Sequence, residues 1–121
     1  MGKPHHKLDV WKRSLNFVAT MYKVTAKFPN EEKFGLISQI RRAAISIPSN
    51  IAEGSARNTH KEFINFLHIA QGSTAELETQ ILIAQKLGSI ETTQNDSLLQ
   101  ELDEISKMII GLQKSIETRN K

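Results

Sequence analysis

At 121 residues, with 39% apolar and 24% charged residues, the chain has the composition of one soluble globular domain, and it is long enough to bury a core without metals or disulfides. The absence of cysteine excludes disulfides and thiolate metal sites, and no run approaches the roughly 18 apolar residues of a membrane span. Net charge is +3, but it is unevenly spread: residues 1–61 hold 11 Lys/Arg against 4 Asp/Glu, and residues 62–121 hold 5 against 9.

That asymmetry has three readings. The first half meets an anionic partner, or neighbouring subunits set basic against acidic surfaces, or both halves simply solvate their outer faces. The first seven residues, Met1-Gly2-Lys3-Pro4-His5-His6-Lys7, lack the apolar run of a signal peptide, so they are expected to form a mobile tail and the protein to be cytoplasmic.

No β-branched alternation suggests a strand, and three breaks divide the rest into four helical blocks. They fall at Phe28-Pro29-Asn30, at residues 54–59 and at residues 88–93. The first block, residues 8–27, carries one stripe of Leu8, Trp11, Leu15, Val18, Tyr22 and Thr25. A second stripe, Val10, Phe17 and Val24 with Met21 and Phe28, widens the apolar arc to roughly 200°, more than one bundle interface needs. Either the helix is deeply buried, or the second stripe contacts another subunit. The second reading makes Val10, Phe17 and Val24 oligomer contacts.

The second block opens on Asn30 as a cap, with Glu31 and Glu32 at the positive end of the helix dipole. Its stripe is Phe34, Ile37, Ile40, Ala44, Ile47 and Ile51. Pro48 lies inside it and removes a hydrogen bond, at a cost of about 3 kcal/mol. Because the stripe keeps phase to Ile51, a kink near Pro48 is expected; two helices meeting there is the alternative.

The third block begins with Thr59-His60-Lys61-Glu62, a capping box, and ends near Leu87 at Gly88. Phe63, Leu67, Ala70, Thr74, Leu77, Ile81 and Ala84 form its stripe. Gly72 inside it costs about 1 kcal/mol relative to alanine. Small neighbours Ala70, Ser73 and Ala75 suggest that another backbone, carrying Pro48, approaches closely there. The last block starts after Thr92 or Thr93, and its heptad seam is Leu98, Leu102, Ile105, Ile109, Leu112 and Ile116. Together these predict an all-α, up-down-up-down antiparallel four-helix bundle over residues 8–118, with a short tail at 119–121.

Catalytic constellations are missing. No Glu has a His three residues on, as a di-iron bundle requires, and His60 and His68 are eight apart, which suits no metal pair. The expectation is no enzyme activity, no cofactor, no metal and no small-molecule substrate. Helical phase at about 100° per residue turns Arg41 into the apolar sector of Ile37 and Glu78 into that of Leu67, so the two are expected to pair and set helix register. Arg42 points outward; with Lys12, Arg13, Arg57 and Lys61 it composes a basic surface for phosphate contacts. No aromatic residue is clearly exposed among them, so base stacking is not indicated.

Several segments resemble one family. They are Leu8-Asp9-Val10-Trp11, Phe28-Pro29, the run from Gln39 to Gly54 with Ser46-Ile47-Pro48-Ser49-Asn50-Ile51-Ala52-Glu53-Gly54, Glu62-Phe63 with Phe66-Leu67, and Gly72-Ser73 with Glu76-Leu77-Glu78. The sequence looks like the bacterial four-helix-bundle proteins encoded in intervening sequences of 23S ribosomal RNA genes. That family is similar to the accessory variability protein of diversity-generating retroelements. The resemblance implies a homopentameric bundle with no cofactor. Through the retroelement relatives it also implies binding of nucleic acid and a reverse transcriptase by basic surfaces. The functional expectation is a cytoplasmic, oligomeric accessory protein binding RNA or a ribonucleoprotein. The alternative is a scaffold whose charges serve only subunit contacts.

Overall fold

The structure, a computed structural model, describes residues 2–119, with the side chains of residues 32–34 outside the described set. Four α-helices make up the fold: α1 (Asp9–Thr25), α2 (Ser38–Ser55), α3 (His60–Lys86) and α4 (Thr92–Arg119). Each packs on its neighbour in sequence, α2 most extensively on α3, and α4 closes the bundle against α1. Residues 56–59 and 87–91 are too short for anything but reversal of direction, so the helices run up-down-up-down as expected.

The ends of α3 follow from local chemistry. Thr59 Oγ1 accepts from the Glu62 backbone N–H at 3.1 Å, which satisfies one orphan donor of the first turn. The Glu62 carboxylate accepts from the Thr59 hydroxyl at 3.2 Å and not from its backbone, so only half of the expected capping box forms. At the other end Gly88 takes φ +79, which lets the Ser89 N–H reach back to the Ala84 carbonyl at 2.9 Å. The start of the second block departs from simple helix grammar. Asn30–Glu32 is a 3-10 turn and Lys33–Ile37 a π-helical turn, and regular α2 begins only at Ser38.

Three of the four expected stripes form the core. Ile40, Ile47, Ile51, Leu67, Leu77, Ile81, Ile105 and Ile109 are fully buried. Phe34, the first member of the α2 stripe, falls outside the described side chains. In α1 the assignment is reversed. Val10, Phe17 and Val24, expected at a subunit contact, point into the core; Phe17 is 3% exposed and Met21 is fully buried. Most of the other stripe faces outward: Leu15 is 42% exposed, Tyr22 is exposed, and Leu8, Trp11 and Val18 are half-buried, while its last member, Thr25, is fully buried. The core seam is Val10, Ser14, Phe17, Met21, Val24 and Phe28, a heptad in which a serine fills one place. Ser14 is tolerated because its hydroxyl donates to the Trp11 carbonyl at 2.8 Å.

α2 is continuous through Pro48, so the two-helix alternative does not hold. Pro48 does not pack around Gly72. It is buried and, with Trp11, Leu15, Val18 and Ile45, lines a groove between α1 and α2. Nor does a backbone approach Gly72, which has open space on its outer side. The close approach of α2 to α3 is at Gly54, where a Cβ would lie 2.7 Å from Phe66 Cβ and 3.0 Å from Phe63 Cδ1. Between them runs a polar link. Asn50 Nδ2 donates to Ser46 Oγ at 2.9 Å, and Ser46 Oγ shares a 2.8 Å bond with Ser73 Oγ.

Candidate nucleic-acid interface

The antiparallel alternation brings the start of α1, residues 56–59, the start of α3 and the end of α4 to one end of the bundle. Lys12 and Lys61 are both there, both exposed, and among the described residues neither forms an ion pair. Arg13 is at the same end but is committed. Its Nε donates to Glu101 Oε2 at 3.0 Å and its terminal amine to Glu101 Oε1 at 2.6 Å. That hydrogen bond, and then the charge of Glu101, hold the guanidinium proton more tightly than usual. Arg57 is likewise held by Glu53 at 2.7 Å, with its guanidinium 4.7 Å from the centre of the Phe66 ring.

Arg42 is exposed but sits in the first turns of α2, at the opposite end. At 1.5 Å per residue it is about 20 Å along the axis from the end of α2 where Arg57 follows. The five expected residues therefore do not form one patch. Lys3, Lys7, Lys114 and Arg119 are exposed in segments directed toward the end where α1 and α3 start, although Arg119 lies about 27 Å along α4 from Glu101, the partner of Arg13, so it is not level with Lys12. Sequence reasoning missed them because they lie in the first and last segments. The signal that locates them is the parity of the helices: an even number of antiparallel passes returns the C-terminus to the starting end.

The Arg41–Glu78 pair does not form. Arg41 is half-buried as expected, but it faces α1: its Nε donates to Thr25 Oγ1 at 2.8 Å and its guanidinium stacks 4.4 Å over the Tyr22 ring. Glu78 is exposed and lines a cavity of about 190 Å³ between α3 and α4, with Asp103 across it. Phase within each helix placed both charges near apolar sectors, but α2 presents Arg41 to α1 and α3 presents Glu78 to α4. A double-mutant cycle should show this. Arg41→Ala and Thr25→Val are expected to couple by about 0.5–1.5 kcal/mol, whereas Arg41→Ala and Glu78→Gln add within about 0.5 kcal/mol. Denaturant midpoints of the three single and two double variants decide it.

Among the described residues no group of three or more His, Cys, Asp or Glu side chains is placed to hold a metal ion. No helix of the described residues is long and apolar enough to cross a membrane.

Comparison with known proteins agrees with this architecture. The family model described as 23S rRNA-intervening sequence protein matches residues 6–111. A Bacteroides thetaiotaomicron protein of unknown function from the S23 ribosomal protein family has a similar solved structure. Its TM-score is 0.81 at 30% sequence identity, over 87% of this chain and 95% of that one. No curated protein matches the sequence. With the family model covering most of the bundle and a solved member superposing on nearly all of it, the chain belongs to the 23S rRNA-intervening sequence protein family.

Proposed function

We propose that the protein is a non-enzymatic, cytoplasmic, oligomeric accessory protein that binds RNA, or a ribonucleoprotein, through phosphate contacts at its basic end. The observation that carries this reading is that Lys3, Lys7, Lys12, Lys61, Lys114 and Arg119 are all exposed and lie in the four segments that the antiparallel topology directs toward one end of the bundle. Lysines without fixed carboxylate partners suit backbone contact, which positions nucleic acid without reading sequence. Assembly is supported by two unpartnered apolar faces. One is the α1/α2 groove, and the other is the outer side of α3 with Ile69, Leu82 and Ile83 exposed. Two different faces on one chain suit a head-to-tail contact that closes into a ring. The family resemblance implies five subunits.

A salt titration of binding to generic single-stranded RNA tests the proposal. The expected result is a linear fall of log affinity with log salt, with a slope of about −0.7 per phosphate contact. The double variant Lys12→Gln, Lys61→Gln should make that slope shallower by about 1.4. Arg13→Gln should change it little, because that side chain is already paired. Absence of binding at low salt would overturn the proposal. It would leave the alternative, in which the charged faces serve subunit contacts alone.

A further inference from the structure

The N-terminal segment, expected as a tail, forms a 3-10 turn over Pro4–Lys7 that packs on α1 and α2. Its His5 ring sits edge-on to Trp11, centroids 4.7 Å apart, and edge-on to His6 at 4.5 Å. His6 in turn accepts the Lys3 backbone N–H on Nδ1 at 3.0 Å. His5 is also one wall of the α1/α2 groove, a cavity of about 270 Å³ shared with Trp11, Leu15, Ile45, Pro48 and Ala52. Its Nδ1 is sealed from solvent and has no hydrogen-bond partner.

We propose that this turn is a pH-sensitive flap on the α1/α2 groove, docked while the His5 ring is neutral and released when the ring takes up a proton. The regulatory consequence, that release alters an assembly face, rests on the oligomeric reading above.

Protonation makes both ring nitrogens donors. Nδ1 would then be a charged N–H sealed from solvent and with no acceptor, which is costly. The surroundings offer no compensation. On its own turn the neighbours are Lys3, His6 and Lys7, all basic. From α1 it meets Trp11; the nearest acid there, Asp9, is exposed. From α2 the groove presents Ile45, Pro48, Ser49 and Ala52, all uncharged, and the next acid, Glu53, is held by Arg57. A cation over the Trp11 face would gain some energy, but burial first, and then His6 and Lys3, push the His5 pKa below its ordinary value. The sign follows. A base whose pKa is lowered by docking leaves the docked form fully stable above about pH 6.5. As pH falls from there to the lowered docked value, docking weakens by up to about tenfold per pH unit.

Trp11 is the only tryptophan; both His5 and His6 lie against its ring, at 4.7 and 5.3 Å between centroids, so its fluorescence reads the docked turn and the histidine variants separate the two rings. In the full chain, a titration from about pH 8 to about pH 5 should give one transition, with a red shift and a midpoint below the ordinary histidine value. Far-UV dichroism should stay constant across it. The transition should persist in His6→Gln and vanish in His5→Gln and His5→Phe, the latter staying docked throughout. A transition that survives unchanged in His5→Gln, a midpoint at or above about 6.5, or a signal independent of pH in the parent protein overturns the flap. Mass in solution at neutral pH separates the two readings. A monomer there overturns the assembly proposal, while the fluorescence result still decides the flap.

Discussion

Gly54→Ala is expected to destabilise the protein by about 1–3 kcal/mol, although alanine is the better helix former. The added methyl would lie 2.7 Å from Phe66 Cβ and 3.0 Å from Phe63 Cδ1. The first of these atoms is fixed to the α3 backbone and cannot rotate away, so α2 and α3, the most extensively packed pair of helices, must move apart there. The propensity gain of alanine is at most about 1 kcal/mol, and less in the last turn of a helix, so steric overlap wins. Gly72→Ala is the matched control. It adds a methyl to open space on an exposed helix interior and should stabilise by about 0.5–1 kcal/mol. Denaturant midpoints at one fixed protein concentration, with unchanged slope, give both numbers. A Gly54→Ala protein as stable as the parent would show that α3 does not approach α2 there.

Phe17→Ala should cost about 3–5 kcal/mol, a large share of the 5–15 kcal/mol typical of a domain. Phe17 is 3% exposed in the seam with Met21, and its loss leaves a cavity among residues from other helices that cannot all collapse into it. Leu15→Ala, two residues earlier on the outward stripe, should change stability by less than about 0.5 kcal/mol. If the α1/α2 groove is a subunit contact, Leu15→Ala should weaken assembly while leaving the fold intact. The opposite pattern, a folded Phe17→Ala protein that dissociates and a Leu15→Ala protein that unfolds, would restore the subunit-contact reading of Val10, Phe17 and Val24. Equilibrium unfolding and solution mass, measured on both variants, separate these outcomes.

The core of α2, α3 and α4 was legible because on each helix one row of apolar residues recurs with a clear helical period, while the apolar residues outside that row, such as Ile69 and Ile110, stand singly. The reversal in α1 has a specific cause. Its apolar residues cover both sides, and the true seam is interrupted by Ser14, whose hydroxyl satisfies itself on the Trp11 carbonyl. The stripe of Val10, Phe17, Met21, Val24 and Phe28 was visible, but with Ser14 in one of its places it looked like the lesser of two apolar faces and was given to a subunit contact. Gly54 was read as a break because glycine often ends helices, but here it sits in the last turn of α2 with Phe63 and Phe66 of α3 against it.

The basic surface was partly legible. Lys12 and Lys61 lie toward the same end of the bundle although 49 positions apart in sequence, since the first and third helices both start there. Arg13 and Arg57 could not be discounted without knowing that Glu101 and Glu53 reach them. The first of these partners comes from a helix remote in sequence.

Helix number, direction and most of the core follow from periodicity, caps and short loops, because each is set by interactions within a few residues along the chain. Which face of α1 turns inward, where α2 meets α3, and which helix receives Arg41 depend on neighbours chosen by packing. Those choices compare whole surfaces. Two stripes of similar hydrophobicity on one helix differ only in the shapes they meet, and a charge near a stripe edge is satisfied by whichever helix brings an acceptor, here the Thr25 hydroxyl of α1 and not the Glu78 carboxylate of α3.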